Sequence, residues 1–216
     1  MNIAVDAREL RGKPTGVGTY LAHLLGEWER MPEARAHRWM LYMPGGGRRE
    51  AEGGSQANER QTEGDGRQAQ ALGRTPRFAD CFEWRAVRGR AGTWWEQRAL
   101  AAAIRRDRPD VLFAPGYTAP LAITVPVVLT VHDVSFFAHP EWFGRREGLR
   151  RRLITRWSAR RARSVLTISE FSKREIVGRI GIPDARVHVV HPGVSRPAPL
   201  PPTESRPPIS QPAEPS

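Results

Sequence analysis

The stretch Val125-Pro126-Val127-Val128-Leu129-Thr130-Val131-His132-Asp133 is a short apolar run with no helical period, rich in β-branched residues. It ends abruptly in two polar, chemically capable side chains. Such a run reads as a strand buried on both faces, with a site at its carboxyl end. Full burial of Val127, Val128, Leu129 and Val131 contributes roughly 1.5–3 kcal/mol each, whereas ordering the backbone costs about 1–2 kcal/mol per residue. A strand covered on one face would barely offset that cost, so helices are expected above and below it. In open α/β sheets, ligands bind outside the carboxyl ends of the strands, which makes His132 and Asp133 candidate site residues.

Strands and helices alternate on either side of this run. Asn2 to Asp6, Trp39 to Met43 (stopped by Pro44), Phe82 to Val87, Val111 to Ala114, Ser164 to Ile168 and Arg186 to Val190 read as further strands. Between the first two comes a loop with Gly16-Val17-Gly18, then an amphipathic helix from about Thr19 to Arg30. Its apolar set is Tyr20, Leu21, Leu24, Leu25 and Trp28. Thr93 to Arg106 reads as a helix, with Thr93 as its N-cap and Trp94, Leu100, Ala103 and Ile104 toward the core. A basic helix is expected from about Glu147 to Arg163, striped by Leu149, Leu153, Ile154 and Trp157. That stripe either packs on the core, leaving a solvated arginine face, or touches a membrane. A last helix starts near Ser169-Glu170-Phe171-Ser172 and ends before Gly181 and Pro183. Ser172 and Glu175 have capping-box spacing, and Ser169 is an alternative cap. The pattern predicts an α/β fold, a doubly wound, mainly parallel sheet with helices on both faces.

Two segments carry little to bury. Residues 44–77 read as a disordered insertion, and residues 195–216 as a proline-rich linker or tail. The 216 residues thus predict one Rossmann-like domain over 1–194. The formal net charge is +11. Lys13 and Lys173 are the only lysines, so the charge is arginine bias more than a nucleic-acid footprint, and no nucleic-acid partner is expected. An anionic membrane or a phosphate-bearing substrate fits better. Cys81 stands alone, which excludes an internal disulfide and a cysteine-rich zinc site. Asp6, Arg8 and Glu9 near the start argue against a secretory signal. The Ala119 to Val131 region is broken by Pro120 and Pro126 and is too short to span a bilayer. The expected location is cytoplasmic, peripheral to the membrane at most.

The glycine turn lacks the third glycine of a dinucleotide fingerprint, since position 21 is leucine. Its glycines read either as a phosphate-approaching turn at a helix's positive end or as an ordinary flexible loop. His132-Asp133 has no accompanying nucleophile elbow for hydrolysis, and His132, Asp133 and His139 match no common metal spacing. A buried structural histidine remains the alternative to a ligand contact.

Four separated stretches line up with one family. They are Asp6-Ala7-Arg8 with Thr15-Gly16-Val17-Gly18-Thr19-Tyr20; Pro126 through Asp133 on to Pro140-Glu141-Trp142-Phe143; Ser169-Glu170-Phe171-Ser172-Lys173; and Val189-Val190-His191-Pro192-Gly193-Val194. In this order they resemble the N-terminal domain of retaining, mannosyltransferase-like GT-B glycosyltransferases. The resemblance implies two Rossmann-like domains with the site between them, the N-terminal one on the acceptor side. It implies that the Gly16, Val17 and Gly18 turn approaches the donor diphosphate, and that His132 faces the transferred sugar and helps stabilise the transition state. Asp133 would orient the loop or an acceptor hydroxyl, and Ser169 is carried as a further donor- or acceptor-binding position. No metal and no cofactor are expected. A nucleotide-sugar such as GDP-mannose or a UDP-sugar would be the donor, and a glycan or lipid-linked molecule the acceptor. The family's C-terminal donor-binding domain has no counterpart here, so a truncated, split or degenerate enzyme is expected. The alternative class is a non-catalytic basic adaptor for an anionic membrane or polymer.

Overall fold

A computed structural model describes residues 1–11, 15–45 and 82–193. Most of the expected insertion, all of the expected tail and Cys81 lie outside the described residues. Seven strands form one sheet: β1 (Asn2–Asp6), β2 (Arg38–Gly45), β3 (Phe82–Arg88), β4 (Val111–Ala114), β5 (Val127–Thr130), β6 (Ser164–Thr167) and β7 (Val187–Val189). Their order is β3-β2-β1-β4-β5-β6-β7, and every pairing is parallel. The order reverses between β1 and β4, so the two chain directions part there and leave a crevice at the carboxyl edge.

The pleat sorts neighbours onto opposite faces. Ala4, Met40, Leu112, Leu129 and Val165 enter one buried cluster, while Val5, Leu41, Phe113 and the half-buried Val128 and Leu166 join another. On the second face lies α1 (Gly16–Arg30), which buries Leu21 and Leu25 and is followed by the short α2 (Pro32–Arg35). The first face takes α3 (Ala101–Asp107), α5 (Arg145–Arg161) and α6 (Glu170–Ile180). A one-turn α4 (Ser135–Ala138) lies between β5 and α5.

Several local expectations change. Pro44 does not stop β2, which runs on to Gly45 beside β3. The β1 pairing has ended at Tyr42 by then, so the missing N–H of Pro44 faces no ladder partner on that side. Before α3 the chain forms a π-helical turn, Trp95–Leu100. That wider turn shifts the phase: Trp95 is buried, and Trp94, assigned to the core from periodicity, is 74% exposed. Thr93, expected as the N-cap, is itself the first helical residue.

Helix α5 differs most. Gly148, Thr155, Ser158, Ala159 and Ala162 face inward, while Leu149, Leu153 and Trp157 are 52%, 48% and 54% exposed. The core-packed reading of that stripe is therefore wrong for these three residues; only Ile154 is partly covered.

Candidate active site

The carboxyl edges of β1, β4 and β5 carry two clefts that meet at Val17 and Tyr117. The larger, about 830 Å³, runs between the N-terminus of α1 and the loops after β5, β6 and β7. Thr15 caps α1, its Oγ1 accepting from the Gly18 N–H at 2.9 Å. Thr19 N–H donates to the Thr15 carbonyl. The Gly16 and Val17 N–H groups have no partner among the described residues, and they sit at the positive end of a 15-residue helix. An anion binds at such an end without further adaptation.

Gly16 to Gly18 are thus the first turn of α1, not a loop before it. Gly16 and Val17 line the cleft; Gly18 does not. Gly18 is buried against the short turn Arg8–Leu10, where a Cβ would stand 2.3 Å from the Glu9 carbonyl oxygen. Its glycine is required by close packing, and its N–H is already used.

His132 lies in the same cleft, two residues past β5. Its ring meets Tyr20 of α1 edge-on at 4.9 Å and Tyr117 at 5.6 Å. Nε2 is 3.0 Å from the Pro115 carbonyl oxygen. A carbonyl only accepts, so Nε2 carries the proton and Nδ1 presents its lone pair. Burial pushes the imidazole below its ordinary pKa, outweighing the Pro115 carbonyl and the Asp133 charge. At neutral pH the ring is therefore uncharged.

Asp133 does not line either cleft. Its Oδ1 accepts from the Ser135 N–H at 2.9 Å and its Oδ2 from the Tyr117 hydroxyl at 2.7 Å. Burial opposes its charge, but these donors hold its carboxyl below the usual value. Asp133 thus holds its own loop, one of the two roles expected for it. Ser169 is also committed: it caps α6, accepting from Ser172 N–H at 3.1 Å, while its neighbour Ile168 lines the cleft. The capping box at Ser172 and Glu175 does not form; Ser172 is the third residue of α6, and Glu175 pairs with Arg179.

The smaller cleft, about 490 Å³, opens at the β1–β4 crevice. Its floor is a buried ion cluster that sequence reading missed. Arg8 bridges Asp6 and Glu96, both at 2.8 Å, and Thr118 Oγ1 donates to Glu96 Oε2 at 2.8 Å. Burial pushes Asp6 up to about 6, despite Arg8 beside it. Arg8 is itself held fully charged, since Asp6 and Glu96 outweigh its burial. Glu96 Oε1 is buried and has no hydrogen-bond partner among the described residues. Glu147, Arg150 and Arg151 of α5 form the opposite wall.

Tyr117 reads from the sequence as part of a loop, Pro115-Gly116-Tyr117, on the same edge as His132, but without a role of its own. It borders both clefts and holds Asp133, and it does so at a φ of 56°. A bulky residue in the left-handed region is costly and is found where the surroundings impose it, often at a site.

A model of Glycosyltransferase Family 4 matches residues 14–196. The chain belongs to Glycosyltransferase Family 4. No curated protein sequence matches it. Among solved structures, Anabaena HepE in complex with UDP-glucose has a TM-score of 0.52 at 16% identity, covering 90% of this chain and 44% of that one. HepE in complex with UDP and glucose gives 0.50 at 17%, over 89% and 44%. At such identity the likeness shows the fold, the Rossmann-like half of a GT-B architecture shared by Family 4. The chain spans less than half the length of these structures. Among the described residues no group of three potential metal ligands occurs, and no helix is long and apolar enough to cross a membrane.

Proposed function

We propose that this chain is the acceptor-side half of a glycosyltransferase that moves a mannose-like hexose from a nucleotide-sugar, such as GDP-mannose or a UDP-sugar, to a glycan or lipid-linked acceptor, with retention at the anomeric carbon. The observation that carries the reading is the shared cleft of His132 and the α1 N-terminus, joined at Tyr117 to a second, polar cleft. The donor diphosphate would lie at the Gly16 and Val17 N–H groups, which have no partner among the described residues. The His132 Nδ1 lone pair would accept a hydrogen from a hydroxyl of the transferred sugar. The acceptor hydroxyl would come from the Arg8–Glu96 side, where Glu96 Oε1 has a lone pair to spare. The bond from the anomeric carbon to the diphosphate breaks, the bond to the acceptor oxygen forms, and the acceptor proton leaves with the phosphate.

The larger cleft is lined by His23, His132, His191 and Glu27 but by no lysine or arginine among the described residues. Two phosphates need more positive charge than that, because charge builds on them as the sugar departs. We therefore assign the cationic diphosphate clamp to a second αβ domain, in the same or another chain. The comparison with HepE, more than twice as long, supports this assignment.

In the enzyme assembled with that domain, His132→Ala lowers kcat by about 100-fold or more, with the melting temperature retained. Near-normal turnover overturns the role of His132. Robust transfer by the purified 216-residue chain alone overturns the need for a second domain.

A further inference from the structure

Helix α5 has the composition of a surface-binding helix and the orientation to act as one. It carries eight arginines and one glutamate. Its small and polar residues pack inward, where Thr155, Ser158 and Ala159 are fully or almost fully buried. Four-residue steps bring Leu149, Leu153 and Trp157 onto one line on the opposite side, and all three are about half exposed. Arg146, Arg150, Arg160 and Arg161, all exposed, flank that line. Arg146 and Arg161 engage no carboxylate among the described residues.

Arg150 pairs with Glu147 on its own helix, which leaves an excess of positive charge along the ridge. An apolar ridge between cations fits one chemistry: a surface that offers hydrocarbon below a layer of negative charge. A protein partner would need a carboxylate for each flanking arginine beside an apolar groove. A second copy of this helix would oppose arginine with arginine. A water-soluble polyanion would leave the two leucines and the tryptophan in water. We propose that the outward face of α5 docks this protein on an anionic phospholipid bilayer, with Leu149, Leu153 and Trp157 entering the acyl boundary and the arginines seated on lipid phosphates.

The placement of the smaller cleft gives the docking a use. Glu147, Arg150, Arg151 and Ile154 line that cleft from the flank of the same helix, between its outward and inward faces. A bilayer against α5 therefore lies beside the mouth of the cleft, within reach of an acceptor whose tail is in the membrane. Only this last link rests on the proposed glycosyl transfer; the docking itself does not.

The test uses the full chain with vesicles of phosphatidylcholine, alone or mixed with phosphatidylglycerol. The chain sediments with the mixed vesicles and not with the neutral ones, and the binding weakens as salt rises. Bromine-labelled acyl chains quench its fluorescence, and Trp157→Phe removes that quenching. Arg146→Gln and Arg161→Gln each weaken binding roughly fivefold. Leu149→Ser, Leu153→Ser and Trp157→Ser together abolish it while far-ultraviolet circular dichroism is unchanged. Equal binding to neutral vesicles overturns the proposal. So does tight binding to heparin with no loss in the triple variant, or concentration-dependent dimerisation without vesicle binding. Vesicle binding is scored without any sugar substrate, so its failure is separable from failure of transfer.

Discussion

Helices α1 and α5 are alike in length and unlike in everything that their apolar residues do. In the 15-residue α1 the large side chains turn inward, and Leu21 and Leu25 are wholly buried against β1, β2 and β4. In the 17-residue α5 the large side chains turn outward, and contact with the sheet is made by alanine, serine and threonine. Periodicity detects a stripe in both. It does not say which side of the helix the protein occupies, because that depends on the space between helix and sheet. Over β5 the helix sits close, and the residues that face the sheet are small.

The largest expected effect separates the two helices. Leu25→Ala removes a side chain with no exposed surface and lowers unfolding free energy by about 2–5 kcal/mol, read from urea denaturation. Leu153→Ala, half exposed on α5, changes it by no more than about 0.5 kcal/mol. Equal losses would mean that the outward face of α5 is covered by the protein itself.

A smaller effect tests what does hold α5. Ser158 Oγ accepts from the Ala119 N–H at 3.1 Å and donates to the Ala119 carbonyl at 3.3 Å, clasping α5 to the loop after β4. Ser158→Ala keeps the size and raises helix propensity. It also leaves the buried Ala119 N–H unpaired, while the carbonyl keeps its bond from Gln97 Nε2 at 3.1 Å, so it costs about 1–3 kcal/mol. A stabilised variant would show that this face is held by packing alone.

Much of the fold was legible because its evidence is local. The β-branched runs around Val5, Phe113, Leu129 and Val165 each read as a strand, and alternation with helices sufficed for a parallel sheet. What escaped was set by distance or phase. Trp94 and Trp95 are adjacent, and a single π-helical turn decides which one is buried. Gly16 and Gly18 have poor helix propensity, so they read as loop, whereas the Thr15 cap and the Glu9 contact make them the first turn of α1. Glu96, in an otherwise ordinary helix segment, gains its meaning from Arg8, 88 positions earlier. His132 and the glycine turn were each visible, and the Tyr20 ring contact joins them across 112 positions. Asp133 and Ser169 carry the polar atoms that attract attention in a motif, and both spend them inside the fold, Asp133 on the Ser135 N–H and the Tyr117 hydroxyl and Ser169 on the Ser172 N–H.

The smallest expected effect distinguishes the same two helices by pH. The imidazole of His132, seated against Tyr20 of α1, has a folded pKa held below its ordinary 6.5 by burial. The unfolded chain therefore takes up this proton first as pH falls. Stability from His132 is complete above about 6.5 and declines below it, levelling off once the folded form is protonated too. The arginines of α5 remain charged throughout this range. Between about pH 7 and 5 the chain should therefore lose stability relative to His132→Gln; Asp6, pushed up to about 6 by burial, takes up its proton over the same interval and shifts both proteins alike in the opposite direction. Over the same interval, binding to anionic vesicles should not change with His132, because no titrating group lies on the outward ridge of α5. A vesicle affinity that followed His132 would tie the two faces together through the sheet and end their independence. An unchanged unfolding curve in His132→Gln would mean that the ring is solvated in the free protein, open to water on the side where a sugar is proposed to bind.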